Sequence, residues 1–124
     1  MNDLINFGFY VKNSPVDFAK PKTIIVIGMA RSGTSMVARL LDGNGIFLGS
    51  QKDNAVFEDV EIAKALESEN ETEFKNLIST RNKQHKIWGF KRPSSINYID
   101  TIVRNVTNPH FIVVYRDLFA IALR

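Results

Sequence analysis

The 124-residue chain contains no cysteine, which excludes a disulfide framework and any metal site built on thiolates. It also lacks long apolar runs: its apolar stretches are short, whereas a membrane-spanning helix needs about 20 such residues. The N-terminus has no basic start followed by a sustained apolar core, so no signal peptide is indicated. We therefore expect a cytoplasmic protein without a membrane span.

The composition is that of one folded domain. Hydrophobic residues make up 44% of the chain and charged residues 23%, which excludes a disordered protein. The length suffices for a single core. The net charge of +3 suits an anionic ligand but gives no argument for a nucleic-acid partner.

The most informative segment is a glycine-bounded loop between a strand and a helix. A β-branched run over residues 23–27 leads to Gly28, a polar loop follows as far as Gly33, and an amphipathic stretch begins at Thr34. Backbone N–H groups converge in such a loop, and the dipole of the following helix adds partial positive charge. This segment therefore predicts an anion-binding site.

The loop has the spacing of a Walker A motif but not its lysine. Thr34 stands where that lysine belongs, and the cation lies inside the loop at Arg31. The aspartate that would bind Mg²⁺ is also displaced, because Asp117 sits beside Arg116 one residue late. These departures favour a phosphate or sulfate ester that binds without Mg²⁺ over the substrate of a kinase or an NTPase.

The loop resembles the 5′-phosphosulfate-binding loop of sulfotransferases that use 3′-phosphoadenosine 5′-phosphosulfate (PAPS), which reads G-x-x-[KR]-S-G-T-[ST]. Three further segments resemble the bacterial branch of that family, in the expected order. They are an acidic helix entry (residues 56–62), a W-G-[WF]-K-x-P segment (residues 88–93) and a strand ending in an arginine (residues 111–117). The resemblance spans roughly residues 22–124.

The resemblance implies PAPS as the cofactor, no metal, and a hydroxyl or amine acceptor of unknown kind (carbohydrate, lipid or small metabolite). It implies that Arg116 binds the 3′-phosphate, that Glu58 is the general base with Glu61 in reserve, and that Lys91 lies near the transferred group. Arg31 and Lys91 would stabilise developing charge. The 5′-phosphosulfate would be held by the loop residues Ala30, Arg31, Ser32, Gly33, Thr34 and Ser35.

Each of these residues also has a structural interpretation. The loop can be a tight turn without ligand, and Arg116 can form a surface pair with Asp117. Lys91 can be an exposed member of a basic cluster. Glu58 and Glu61 can complement the positive end of a helix dipole. The remaining candidates are predicted to be structural or exposed: Trp88 in the core, His110 opening a strand, His85 in a polar linker.

The order of predicted elements indicates a three-layer α/β/α fold of the P-loop type, with a parallel sheet around the strand at residues 22–27. Residues 1–21 form an N-terminal arm and residues 22–124 a single core. We predict further strands at residues 87–90 and 110–115. Helices are predicted at residues 34–42, over residues 57–80 as one or two segments, and after a capping Ser94, with a basic connector at residues 81–86.

Sulfotransferases of this family are longer, and they place a serine where this chain has Arg124. We therefore expect a fragment or a naturally shortened chain that lacks the C-terminal half of the usual domain. Its open sheet edge predicts self-association. Two other functions stay open: a non-catalytic remnant that binds a nucleotide or a partner, and a P-loop kinase or NTPase.

Overall fold

The computed structural model of the chain describes residues 5–6, 9–10, 21–29, 32–49 and 57–116. Within these residues the strands are β1 (Ile5–Asn6), β2 (Phe9–Tyr10), β3 (Lys22–Gly28), β4 (Ile87–Lys91) and β5 (Pro109–Val114). The helices are α1 (Thr34–Gly43), α2 (Val60–Glu67), α3 (Glu71–Gln84) and α4 (Ile99–Asn105), with a 3₁₀ helix over Pro93–Tyr98.

The central element is a parallel sheet in the order β4-β3-β5. Ile25 in the middle of β3 lies opposite Phe90 on one side and Phe111 on the other. This confirms the predicted α/β fold with a parallel sheet around the first strong strand. In the N-terminal arm, β1 and β2 form a separate antiparallel pair.

The main core lies on one face of the sheet, between the strands and helices α2, α3 and α4. Ile25 on β3 and Trp88 and Phe90 on β4 are fully buried. Because strand side chains alternate between faces, residues at odd positions of β3 point to this side. The core residues that the helices contribute are Ile62, Ala65, Leu66, Phe74, Ile78 and Ile102.

Helix α1 packs against the opposite face. It contacts β3 and β4, and a Cβ added at Gly28 would lie 3.2 Å from Cγ2 of Thr34. Thr34 and Ala38 are its buried residues, whereas Met36 and Leu40 are more than half exposed. Small residues of this helix therefore make its close approach to the sheet.

Two predicted boundaries differ from the structure. Residues 57–80 contain two helices, one of the two predicted arrangements, but α3 continues to Gln84, so the predicted connector at residues 81–86 is wrong for residues 81–84. Ser94 caps no α-helix: it lies in the 3₁₀ helix, and α4 begins only at Ile99. Pro93 favours the start of a helical turn, because its φ is fixed and its missing N–H is not needed there.

Gly89 on β4 generates a first prediction. A Cβ at this position would overlap the carbonyl oxygen of Ile24 on β3, so Gly89→Ala should force the strands apart. We expect a loss of about 1–3 kcal/mol in the free energy of unfolding, measured by urea titration. The control is Gly43→Ala in α1, where an added Cβ meets nothing within 4 Å and should be neutral or stabilising. Equal stability of the two variants would contradict this packing.

An ion pair joins the start of α3 to α4. Arg104 Nε and Asn105 Nδ2 donate to Glu71 Oε1 at 2.8 and 2.9 Å. The hydrogen bond from Arg104, followed by that from Asn105, lowers the pKa of Glu71 from 4.5 to about 2. Because the folded-state pKa is the lower one, this pair stabilises the fold fully above pH 4.5, and the effect is lost as the pH falls toward 2.

Glu71→Gln should therefore destabilise the protein modestly near neutral pH, since the pair is exposed to solvent. The difference from wild type in free energy of unfolding should shrink as the pH is lowered from 5 toward about 2. Urea titrations across this range measure it. Glu73→Gln, in the same first turn, is the control and should show a smaller dependence on pH. A pH-independent difference for Glu71→Gln would contradict the assignment.

Candidate functional site

The carboxyl ends of the three parallel strands meet at one edge of the sheet. β3 ends at Gly28, β4 at Lys91 and β5 at Val114. Open α/β sheets bind ligands at this edge. The glycine-bounded loop begins here and leads into the N-terminus of α1.

The described part of the loop is tightly built. A Cβ at Gly28 would overlap the carbonyl oxygen of Val114, so this position requires glycine. Gly33 has a φ of 105°, which favours glycine, and immediately precedes α1. Ser32 donates from both its amide and its hydroxyl to the carbonyl of Met29. Ala30 and Arg31, predicted to bind the phosphosulfate, lie outside the described residues.

Lys91 is buried at the end of β4, beside the first turn of α1. Its side chain is only 3% exposed. The Nζ donates to Ser35 Oγ at 3.2 Å and lies 3.8 Å from Glu58 Oε1. Lys91 is therefore not the exposed lysine of a solvated cluster. A cation from the neighbouring strand stands at the helix N-terminus that follows the loop.

Glu58 is held between two cations. Besides Lys91, it accepts a hydrogen bond from Arg92 Nη1 at 3.0 Å, and it is 28% exposed. Arg92 also pairs with Glu67 at the end of α2. The structure thus brings together three predicted residues, Ser35, Lys91 and Glu58, in one partly buried, charge-balanced group.

Two other predicted residues lie on different elements. Arg116 follows β5 at the same sheet edge and is exposed to solvent. Glu61 lies in the first turn of α2, half-buried. The predictions about Asp117 and Arg124 concern residues outside the described ranges.

The sequence reasoning missed a buried ion pair next to Glu58. Asp59 caps α2 by accepting from the amide of Ile62 at 3.1 Å, and both of its carboxylate oxygens contact the guanidinium of Arg81. Their side chains are 1% and 5% exposed. Arg81 continues the apolar stripe of Phe74 and Ile78 along α3, and a charge on such a stripe signals a buried partner.

The other single-residue predictions have plain outcomes. Trp88 is fully buried, which confirms its place in the core, and its Nε1 donates to Asn82 Oδ1 at 2.8 Å. His85 is half-buried rather than exposed, because its ring stacks on Phe47 at 4.2 Å. His110 is in β5, and its Nδ1 can donate to the carbonyl oxygen of Asn108 at 2.9 Å, a local contact that fits a structural histidine.

A separate cavity of about 460 Å³ lies among α2, α3, the 3₁₀ helix and the start of α4. Its floor is apolar, with Leu66 and Phe74, and its rim carries Glu69, Glu71 and Asp100. None of the predicted site residues lines it. In the described part of the chain, no cluster of three or more histidine, aspartate or glutamate side chains suits a metal ion, and no helix has the length and apolarity to cross a membrane.

Comparisons with protein-family models, with curated proteins and with solved structures gave no match for this chain. The sulfotransferase resemblance of the loop and the three further segments stays a prediction. A functional proposal therefore depends on the chemistry of the site itself.

Proposed function

We propose that this chain is a PAPS-dependent sulfotransferase, or the N-terminal part of one, with a P-loop-like three-layer fold. It would transfer a sulfuryl group to a hydroxyl or amine acceptor. The observation that carries the proposal is the position of Lys91, a buried cation 3.2 Å from Ser35 in the first turn of α1.

The position of Lys91 supports an anion site at the loop. N–H groups in the first turn of a helix point out of its end, where anions bind. The Walker lysine is missing, and Lys91 enters the same region from β4, a strand next to β3. Burial makes its charge act more strongly than that of a surface lysine, because less water screens it.

Glu58 supports the same proposal from the acceptor side. During transfer, the bond from sulfur to the bridging phosphate oxygen breaks and a bond from sulfur to the acceptor forms. The acceptor loses its proton, and a carboxylate next to the anion site is placed to take it. Lys91, together with Arg31, would stabilise the charge that develops on the departing phosphate oxygen.

Arg116 completes the proposal as the group that selects the nucleotide. It follows β5 at the same sheet edge, and a guanidinium matches the oxygens of a 3′-phosphate. The acceptor class stays open, as carbohydrate, lipid or small metabolite. We place the reaction in the cytoplasm.

Calorimetric titration of the purified chain with adenosine 3′,5′-bisphosphate, without Mg²⁺, tests the proposal. We expect binding that is at least tenfold tighter than that of ADP. Lys91→Met should weaken it about tenfold or more, the effect of losing a hydrogen bond to a charged group. The control Lys83→Met removes an exposed lysine from α3 and should change the affinity less than twofold.

Two outcomes would contradict the proposal. Binding of ADP that equals binding of the bisphosphate, or that requires Mg²⁺, would favour a P-loop kinase or NTPase. No binding of either nucleotide would favour a non-catalytic remnant that acts through a partner. In the described residues β5 pairs only with β3, so its outer edge is the place where a partner or a second copy would add.

A further inference from the structure

Burial of the ion pair between Asp59 and Arg81 carries a large desolvation cost. Two charges are taken out of water, and replacing such a pair by apolar residues often leaves stability unchanged. The guanidinium of Arg81 lies 5.2 Å from the ring centre of Trp88 and 5.6 Å from that of Phe47. The pair therefore connects α2, α3, β4 and the segment before Gly49.

The backbone around this pair is closely fitted to the carboxylate. Gly49 has a φ of 114°, and a Cβ there would lie 2.6 Å from Asp59 Oδ2. Asp59 also accepts from the amide of Ile62. Because both carboxylate oxygens of Asp59 accept hydrogen bonds, the side chain is held in one position. The backbone of Asp59 and the backbone of Gly49 that packs against it are held with it.

Two members of the candidate site lie close to this pair in the chain. Glu58 directly precedes Asp59, and Lys91 follows Trp88 by three residues on β4. The ion pair thus anchors the segment of Glu58 directly, through Asp59, and contacts β4, which carries Lys91, through the ring of Trp88. Between these two elements Lys91 Nζ lies 3.8 Å from Glu58 Oε1.

We propose that Asp59 and Arg81 are positioning residues that hold Glu58 against Lys91. This inference rests on the proposed function in treating Lys91 as an anion ligand. Glu58 offsets the charge of Lys91, so an incoming anion competes with that carboxylate. The ion pair, which touches no ligand, sets the strength of this competition.

The test is a double-mutant cycle read on the ligand-free protein. The ammonium signal of Lys91 in a ¹⁵N spectrum is observable because the group is buried and hydrogen-bonded, and its loss in Lys91→Met assigns it. Glu58→Gln should shift this signal. Asp59→Asn/Arg81→Met should shift it in the same direction, and combining all three substitutions should add nothing further.

The control is Glu71→Gln/Arg104→Met, which removes an ion pair at the N-terminal end of α3, the end opposite to Arg81, and should leave the Lys91 signal in place. The proposal is overturned if Asp59→Asn/Arg81→Met leaves the signal unmoved, or if its shift adds fully to that of Glu58→Gln. If the double variant does not fold, Asp59→Asn alone carries the same expectation, because asparagine retains the capping oxygen.

Titration with adenosine 3′,5′-bisphosphate then separates this inference from the proposed function. Glu58→Gln should bind the bisphosphate about sixfold tighter. This is the effect in water of removing a like charge about 4 Å from the bound anion. Asp59→Asn/Arg81→Met should also bind the bisphosphate tighter than wild type. Adding Glu58→Gln to this double variant should give no further gain in affinity. Loss of all bisphosphate binding with the spectral cycle intact would overturn the sulfotransferase proposal and leave the positioning role standing.

Discussion

The parallel alignment of β3, β4 and β5 is the constraint on which the candidate site depends. Because the three strands point the same way, their carboxyl ends share one edge, and residues far apart in the chain arrive there together. Lys91 reaches the first turn of α1 only because β4 lies beside β3 with Val26 opposite Lys91. An antiparallel β4 would place that lysine at the other end of the sheet, far from the loop.

The second constraint is electrostatic. The described site balances its cations against carboxylates: Lys91 and Arg92 meet Glu58 and Glu67, and Arg81 meets Asp59. Such balance makes the site compatible with a folded core, because an unpaired buried charge is costly. The affinity for an anion therefore depends on how easily the anion displaces these carboxylates from their cationic partners.

The sequence predicts the sheet well and the site only in part. Continuous apolar runs indicate β3 and β5 to within a residue or two. The pattern is clearest for β3, which is largely buried and ends at Gly28, whereas β5 is mostly half-buried. The position of Lys91 was expected from resemblance, but its burial was not predictable, since it depends on register. The basic and polar run at residues 81–86 indicates a connector, although Arg81 continues the helical spacing of α3. The partner of Arg81 is 22 residues away, and pairing over that distance is decided by tertiary packing.

Trp88 gives this arrangement a built-in optical probe. It is the only tryptophan in the chain, and its indole is enclosed, hydrogen-bonded to Asn82 and covered by the guanidinium of Arg81. Its fluorescence therefore comes from a single environment at the junction of β4 and α3. An emission spectrum of the unlabelled protein reports the integrity of this junction directly, separately from that of α1 on the opposite face of the sheet.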